Sequence, residues 1–242
     1  SKAWKWNLLV FDLVIKNGFV VDGSGNPGFK ANVYVNEGRI SMVNRTELGK
    51  GDKIIDASGL VVAPGFIDIH QHSDHTLFAG PRCESYIHQG VTTAGVGNCG
   101  LSLAPLSDEY RDEIARYNES FTLGLRFPYD WNSFGEYLER LESTALGLNI
   151  WPQVGQCTLR AAVMGFEARK ANAKEIESMK TIVEDAMAAG ANALSVGEYA
   201  PGHWADTSEL IELSKVSAKY GGIFTIHLRR FGFPEAVEVA EK

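Results

Sequence analysis

Pro64-Gly65-Phe66-Ile67-Asp68-Ile69-His70-Gln71-His72 is the stretch from which the rest of the chain is best understood. A Pro-Gly breaker precedes a short apolar run of strand length, and the run ends in two histidines. Side chains alternate faces along a strand, so Phe66, Asp68, His70 and His72 are expected on one side and Ile67 and Ile69 on the other. Two imidazoles about 7 Å apart by strand rise can converge on one metal ion at a strand end. Ile67 and Ile69 are then expected to meet covering helices. A histidine pair on a solvated strand face is the alternative for so short a motif. Position favours the metal, because catalytic groups of α/β barrels sit at the C-terminal ends of strands.

Downstream of this stretch, apolar runs of strand length alternate with helical patterns, which argues for βα units and a parallel sheet. Strands are expected at 66–70, 92–96, 149–154, 193–196 and 223–227, with helices at 83–88, 108–117, 133–143, 174–189 and 208–220. Ile176, Met179, Ile182, Val183 and Ala186 recur three and four apart, and Gly190 stands where a C-terminal cap belongs. Asp206 and Glu209 stand in capping-box relation before Leu210, Leu213 and Val216. A last helical pattern opens near Pro234. Upstream, 11–16, 19–22, 31–36, 39–43, 54–56 and 60–63 are short, alternating and rich in Val and Ile. Asn17-Gly18, Asp22-Gly23, Asn36-Glu37-Gly38 and Ser58-Gly59 between them tolerate positive φ. The upstream segment therefore reads as a small antiparallel β unit, which divides the chain into 1–63 and 64–242.

The 242 residues are 45% apolar and 22% charged, an ordinary globular composition that excludes disordered and collagen-like classes. A single α/β barrel needs roughly 250 residues, but about sixty go to the β unit and the remainder supplies only five βα units. The formal charge of −7, without a Lys/Arg stripe, argues against nucleic acid or an anionic membrane as partner. Three cysteines form no disulfide framework, and residues 1–6 lack a signal-peptide layout. No apolar run approaches the roughly 18 residues of a membrane span. A reducing, cytoplasmic setting is the expectation.

Two further candidates lie at strand ends. Cys99 follows the second strand in Gly95-Val96-Gly97-Asn98-Cys99-Gly100, where flanking glycines permit close backbone approach and a thiolate would be a strong zinc ligand. A small buried apolar residue is the commoner role of a lone cysteine. His227 ends the fifth strand. Candidates at three strand ends of one sheet reinforce one another and favour a metal centre.

These residues resemble a known family. Gly18-Phe19-Val20-Val21-Asp22-Gly23-Ser24-Gly25 and Asp56-Ala57-Ser58-Gly59-Leu60-Val61-Val62-Ala63, running on into Pro64–His72, are similar to the amidohydrolase superfamily. Gln89-Gly90-Val91-Thr92-Thr93, Gly97-Asn98-Cys99-Gly100-Leu101-Ser102-Leu103-Ala104-Pro105 and Gly155-Gln156-Cys157-Thr158-Leu159-Arg160 resemble its D-aminoacylase, or N-acyl-D-amino-acid deacylase, branch. The resemblance runs from about residue 11 to 242. It implies an α/β fold, a partial (β/α)8 TIM barrel of about five βα units preceded by strands of a small β-sandwich.

The resemblance also implies hydrolysis of the amide bond of small N-acyl-D-amino acids by metal-activated water. His70 and His72 match the family's first-strand metal pair, Cys99 a cysteine used where relatives carry a carboxylated lysine, and His227 a further zinc ligand. One tight Zn2+ site is implied, with a second, weaker one at His70 and His72. Tyr199, in Gly197-Glu198-Tyr199-Ala200-Pro201-Gly202, matches a tyrosine near the site, and Arg229 matches an arginine suited to a substrate carboxylate. Loop packing for Tyr199 and a structural salt bridge for Arg229 are the alternatives. Asp68 is expected to accept a hydrogen bond in support of the ligands.

Gln156 departs from the family, where many relatives carry histidine. The family's sixth-strand zinc histidine and eighth-strand catalytic aspartate, the general base, are expected beyond Lys242. The chain is therefore read as an N-terminal portion whose partner is the remaining C-terminal half, and a homo-oligomer stays open. The rivals are a cyclic-amide hydrolase of dihydroorotase or hydantoinase type, and a non-catalytic fragment that needs a C-terminal partner chain.

Overall fold

The computed structural model describes residues 9–122 and 129–242. The reading of residues 1–6 lies outside them. The chain divides into two compact units between Gly65 and Phe66.

In the first unit β1 (Leu9–Val20), β2 (Phe29–Asn36), β3 (Arg39–Asn44), β4 (Gly49–Asp56) and β5 (Val61–Val62) form one sheet, ordered β3-β2-β1-β4 with β5 also on β1. The expected antiparallel unit is a mixed sheet. Both β2 pairings are antiparallel, whereas β4 and β5 run parallel to β1. The strands expected at 11–16 and 19–22 are one strand. Asn17 takes φ 62 within β1, and a register shift between Ile15 and Gly18 sets one extra residue against β2, so Asn17-Gly18 makes a bulge and not a hairpin turn. A tight hairpin forms instead at Glu37 and Gly38, with φ of 51° and 70°. Val14 faces Tyr34 across β1 and β2 and packs with Phe11, and Val20, Ala31 and Val33 make a second small cluster.

In the second unit β6 (Phe66–Asp68), β7 (Val91–Val96), β8 (Asn149–Gly155), β9 (Ala193–Val196) and β10 (Ile223–Ile226) form an all-parallel sheet in chain order. The connecting helices are α1 (Glu84–Ile87), α2 (Arg111–Asn118), α3 (Phe134–Glu142), α4 (Gln156–Met164), α5 (Ala173–Ala189) and α6 (Thr207–Lys219), and α7 (Gly232–Glu241) follows β10. Five consecutive parallel strands with interposed helices are the first part of a (β/α)8 barrel. Its core lies between sheet and helices, where Ala94, Val96, Val154 and Leu194 meet Met179, Val183 and Ala186 of α5 and Leu213 of α6. Local chemistry sets the helix ends. Ser133 with Glu136 and Asn172 with Glu175 form complete capping boxes, and Gly190 ends α5 at φ 122. At α6 the expected box is half made: Asp206 accepts the Glu209 N–H at 3.1 Å, but the Glu209 carboxylate turns inward.

Within the described residues β6 and β10 are the edges of this sheet. The expectation that Ile67 and Ile69 meet covering helices is corrected, because they are 65% and 68% exposed. Beside β10, Ile223, Phe231, Phe233 and Val237 are also exposed. An edge strand with one neighbour has cover only from the helix of that neighbour's unit, and nothing described here covers the outer side of β6. No helix among the described residues is long and apolar enough to cross a membrane.

Candidate metal centre

The strand β6 stops at Asp68, two residues sooner than expected, so His70 and His72 stand in the turn beyond it. They still converge, with ring centroids 5.9 Å apart. Asp68 Oδ1 accepts the His70 N–H at 3.2 Å, an accepting role directed at the backbone and not at the ring. Cys99 reaches the same place from the end of β7. Its Sγ lies 3.1 Å from His70 Nε2, and one ligand atom from each of His70, His72 and Cys99 falls within 4.8 Å of the others.

The turn that carries Cys99 is built from left-handed backbone: φ is 80° at Gly97, 58° at Cys99 and 78° at Gly100. A Cβ at Gly97 would stand 2.2 Å from the Gln153 carbonyl oxygen, and one at Gly197 would stand 2.0 Å from the Cys99 carbonyl oxygen. Only glycine lets β8 and β9 approach this turn so closely. Polar side chains then lock it. Asn98 Nδ2 donates to Gly95 O at 2.7 Å and to Gln71 O at 3.1 Å, while Gln153 Nε2 donates to Asn98 Oδ1 at 2.9 Å. Thr225 Oγ1 of β10 donates to Gln153 Oε1 at 2.5 Å. Ser195 Oγ of β9 accepts the Gly100 N–H at 3.1 Å and donates to Gly97 O. One network thus joins the ends of four strands and holds the thiol in place.

Burial pushes the Cys99 thiol up, with the nearby Asp74 charge adding to it. Burial holds the half-buried His72 imidazole below its ordinary value, which favours the neutral form that ligates. Two imidazoles and a thiol, with no cationic side chain among them, fit a borderline-soft divalent cation such as zinc. Cys157 is a different case. It is buried in α4, its thiol is pushed up to about 12 by desolvation, and it donates to Tyr199 O at 3.4 Å.

His227 follows β10, and its N–H donates to Val196 O at 2.9 Å. It lies outside the 4.8 Å donor group, although its charge acts on His72. Tyr199 packs edge-on against both His227 (5.9 Å) and Phe121 (6.2 Å), so it does stand beside a candidate ligand. Of the two roles expected of Arg229, its surroundings match the structural salt bridge. Its side chain is fully buried, Nη2 donates to Ala205 O at 2.6 Å, and Nε lies 3.3 Å from Glu235. A guanidinium engaged with these groups fastens the loop after β9. Gln156 is buried as well, donating from Nε2 to Glu209 Oε1 at 2.8 Å beside an Arg160–Glu209 ion pair.

Several residues that shape the centre carried little sequence signal. Gln153, Ser195 and Thr225 were embedded in largely apolar strand patterns, and their one mark was a polar side chain where a strand buried on both faces should be apolar, while Asn98 stood unremarked beside Cys99 in the glycine-rich turn. Asp74 and His75, both fully buried, adjoin the histidine pair.

Comparison with known proteins gives the family. The chain is 40% identical over 226 residues to a D-aminoacylase from Alcaligenes xylosoxydans xylosoxydans, an alignment that covers 92% of this chain and 45% of that protein. A solved D-aminoacylase, studied for the functional role of its binuclear metal centre, superposes with a TM-score of 0.83 at 37% identity, over 96% of this chain and 48% of the other. An N-acyl-D-glutamate deacylase from Bordetella bronchiseptica, solved with zinc and a phosphonate inhibitor, superposes with a TM-score of 0.85 at 30% identity, over 96% and 49%. The chain spans about half the length of these relatives. The profile described as "Amidohydrolase family" matches residues 53–230, and the chain belongs to that family.

Proposed function

We propose that this chain supplies the N-terminal half of the barrel of a metal-dependent enzyme that hydrolyses N-acyl-D-amino acids, and that His70, His72, Cys99 and His227 are its contribution to the metal centre. The observation that carries the reading is the meeting of His70 Nε2 and Cys99 Sγ at 3.1 Å from two different strand ends. A zinc ion held there would acidify water and polarise an amide carbonyl, which an amide needs because it is inert to ordinary water. One tight site and a second, weaker one at His70 and His72 is the proposed stoichiometry.

The side chains of this unit then position and shield. The Asn98, Gln153 and Ser195 network holds the thiol at a set distance from the imidazoles. Tyr199 lines the mouth beside His227. The general base and the last zinc ligand are assigned to the polypeptide that completes the barrel against the open edges of β6 and β10. The first unit, in the same reading, forms part of a small β-sandwich. Three buried, unpaired cysteines suit a reducing, cytoplasmic setting.

The test is a side-by-side assay of N-acetyl-D-amino acids, hydantoins and dihydropyrimidines, with this chain alone and with the polypeptide that completes it. Metal-dependent turnover of the acyl amino acids by the completed barrel is expected, with little by this chain alone. Turnover by metal-stripped protein, or preference for the cyclic amides, would overturn the reading.

A further inference from the structure

The paired register of β9 and β10 ends at Val196 and Ile226, and the His227 N–H, donating to Val196 O at 2.9 Å, carries it one residue further. Beyond that point side chains hold the two segments together. Glu198 Oε2 accepts the Arg230 N–H at 3.0 Å, and Oε1 accepts from Arg230 Nη1 at 2.6 Å. The same guanidinium nitrogen donates to His203 O at 2.5 Å. Arg229 Nε stands 3.7 Å from Glu198 Oε2. One carboxylate of the segment after β9 thus meets both arginines of the segment after β10.

His227 therefore lies between two fixed points, its own N–H on Val196 O and the Arg230 N–H, three residues on, on Glu198. Glu198 also directly precedes Tyr199, whose ring stands edge-on to His227 at 5.9 Å. A charge-assisted bond from a main-chain N–H to a carboxylate fixes the backbone as well as a side chain. The Glu198 and Arg230 side chains are 31% and 47% exposed, and an ion pair this open to water adds little to global stability, so its consequence is where it puts the backbone. His227 lies outside the donor group of His70, His72 and Cys99, and how near its imidazole comes to a cation there is set by what holds its segment. We propose that Glu198 is a positioning residue of the metal centre: through Arg230 it holds the segment that carries His227 against the segment that carries Tyr199, and so sets the reach of His227. The inference rests on the reading of His227 as a ligand, but its first readout does not depend on it.

That readout is the ring of His227 in the metal-free chain, followed by its side-chain proton resonances, which the edge-on Tyr199 ring displaces. Glu198→Ala should remove most of the displacement, measured against Tyr199→Leu, which lacks the ring. Zinc affinity, measured against a chromophoric chelator, should fall about 10-fold in Glu198→Ala. In a His227→Ala background the same substitution should cost nothing further, because a residue that acts through His227 has nothing left to position. Glu198→Gln keeps an oxygen for the Arg230 N–H but loses the ion pair, and should fall between the two. Unchanged His227 resonances in Glu198→Ala would overturn the proposal, and so would a loss of zinc affinity as large in the His227→Ala background as in wild type. Wild-type affinity in Glu198→Ala, where His227→Ala itself weakens binding, would overturn it too. If His227→Ala leaves zinc affinity unchanged, the ligand reading of His227 fails, while its ring resonances still decide whether Glu198 positions it. Should Glu198→Ala fail to fold by circular dichroism, Glu198→Gln carries the same measurements, and wild-type behaviour there would overturn the proposal.

Discussion

The turn that carries Cys99 and the outer side of β6 lie within a few residues of each other in the sheet, yet they differ in every physical respect. At the turn, glycines admit neighbouring backbones, and side chains from three other strand ends satisfy the local polar groups. Along β6, Phe66, Ile67 and Ile69 stand in solvent. The contrast teaches that the turn presenting Cys99 is packed and hydrogen-bonded by the described residues around it, whereas the apolar perimeter along β6 has no cover among them.

The largest expected effects come from breaking the packed interior. Arg160→Ala leaves the Glu209 carboxylate buried without its cation and should cost about 3–5 kcal/mol, read from chemical denaturation. Gly97→Ala drives a methyl group toward the Gln153 carbonyl at a left-handed position, and about 2–5 kcal/mol of destabilisation is expected. A smaller effect belongs to the surface of α5. Arg169 and the cap of α5 hold the Glu175 carboxyl at about 2, below its ordinary 4.5. A folded-state value lowered in this way gives stability that is fully present above about pH 4.5 and is lost as pH falls toward about 2. Glu175→Gln should flatten that part of the pH–stability curve, with a loss under about 1 kcal/mol at neutral pH. The smallest effect on stability is expected at the perimeter: Ile67→Lys should change it by less than about 0.5 kcal/mol. The same substitution should lower self-association in light scattering and weaken capture of a completing polypeptide. A large loss of stability from Ile67→Lys would show that this face is covered, and would dissolve the contrast.

The legibility of the chain followed the same division. The strands at 193–196 and near 149–154 were readable as short, mainly apolar segments between helical patterns, although Ser195 and Gln153 interrupt them, and α5 because one face repeats at helical spacing. The helix α4 escaped, because nearly every residue from Gln156 to Met164 is buried and an all-round buried helix has no polar face to set a period. Asn17-Gly18 read as a turn, since positive φ serves a bulge as well as a hairpin. The parallel pairing of β4 and β5 with β1 is set by long-range contacts to which local pattern is blind. At the centre, His70, His72 and Cys99 were found as residue types at strand ends. Arg229 left two roles open in the sequence, because a guanidinium is equally apt for a substrate carboxylate or for a structural salt bridge, and in the structure its buried side chain meets Glu235 and the Ala205 carbonyl.

The central claim is that His70, His72 and Cys99 together hold a metal ion. X-ray absorption at the zinc edge, on the zinc-loaded chain, tests it most directly. One sulfur scatterer at about 2.3 Å with nitrogen or oxygen neighbours at about 2.0–2.1 Å is expected, and the sulfur shell should vanish in Cys99→Ser. A wild-type spectrum with no sulfur shell, or one unchanged by Cys99→Ser, would contradict the account.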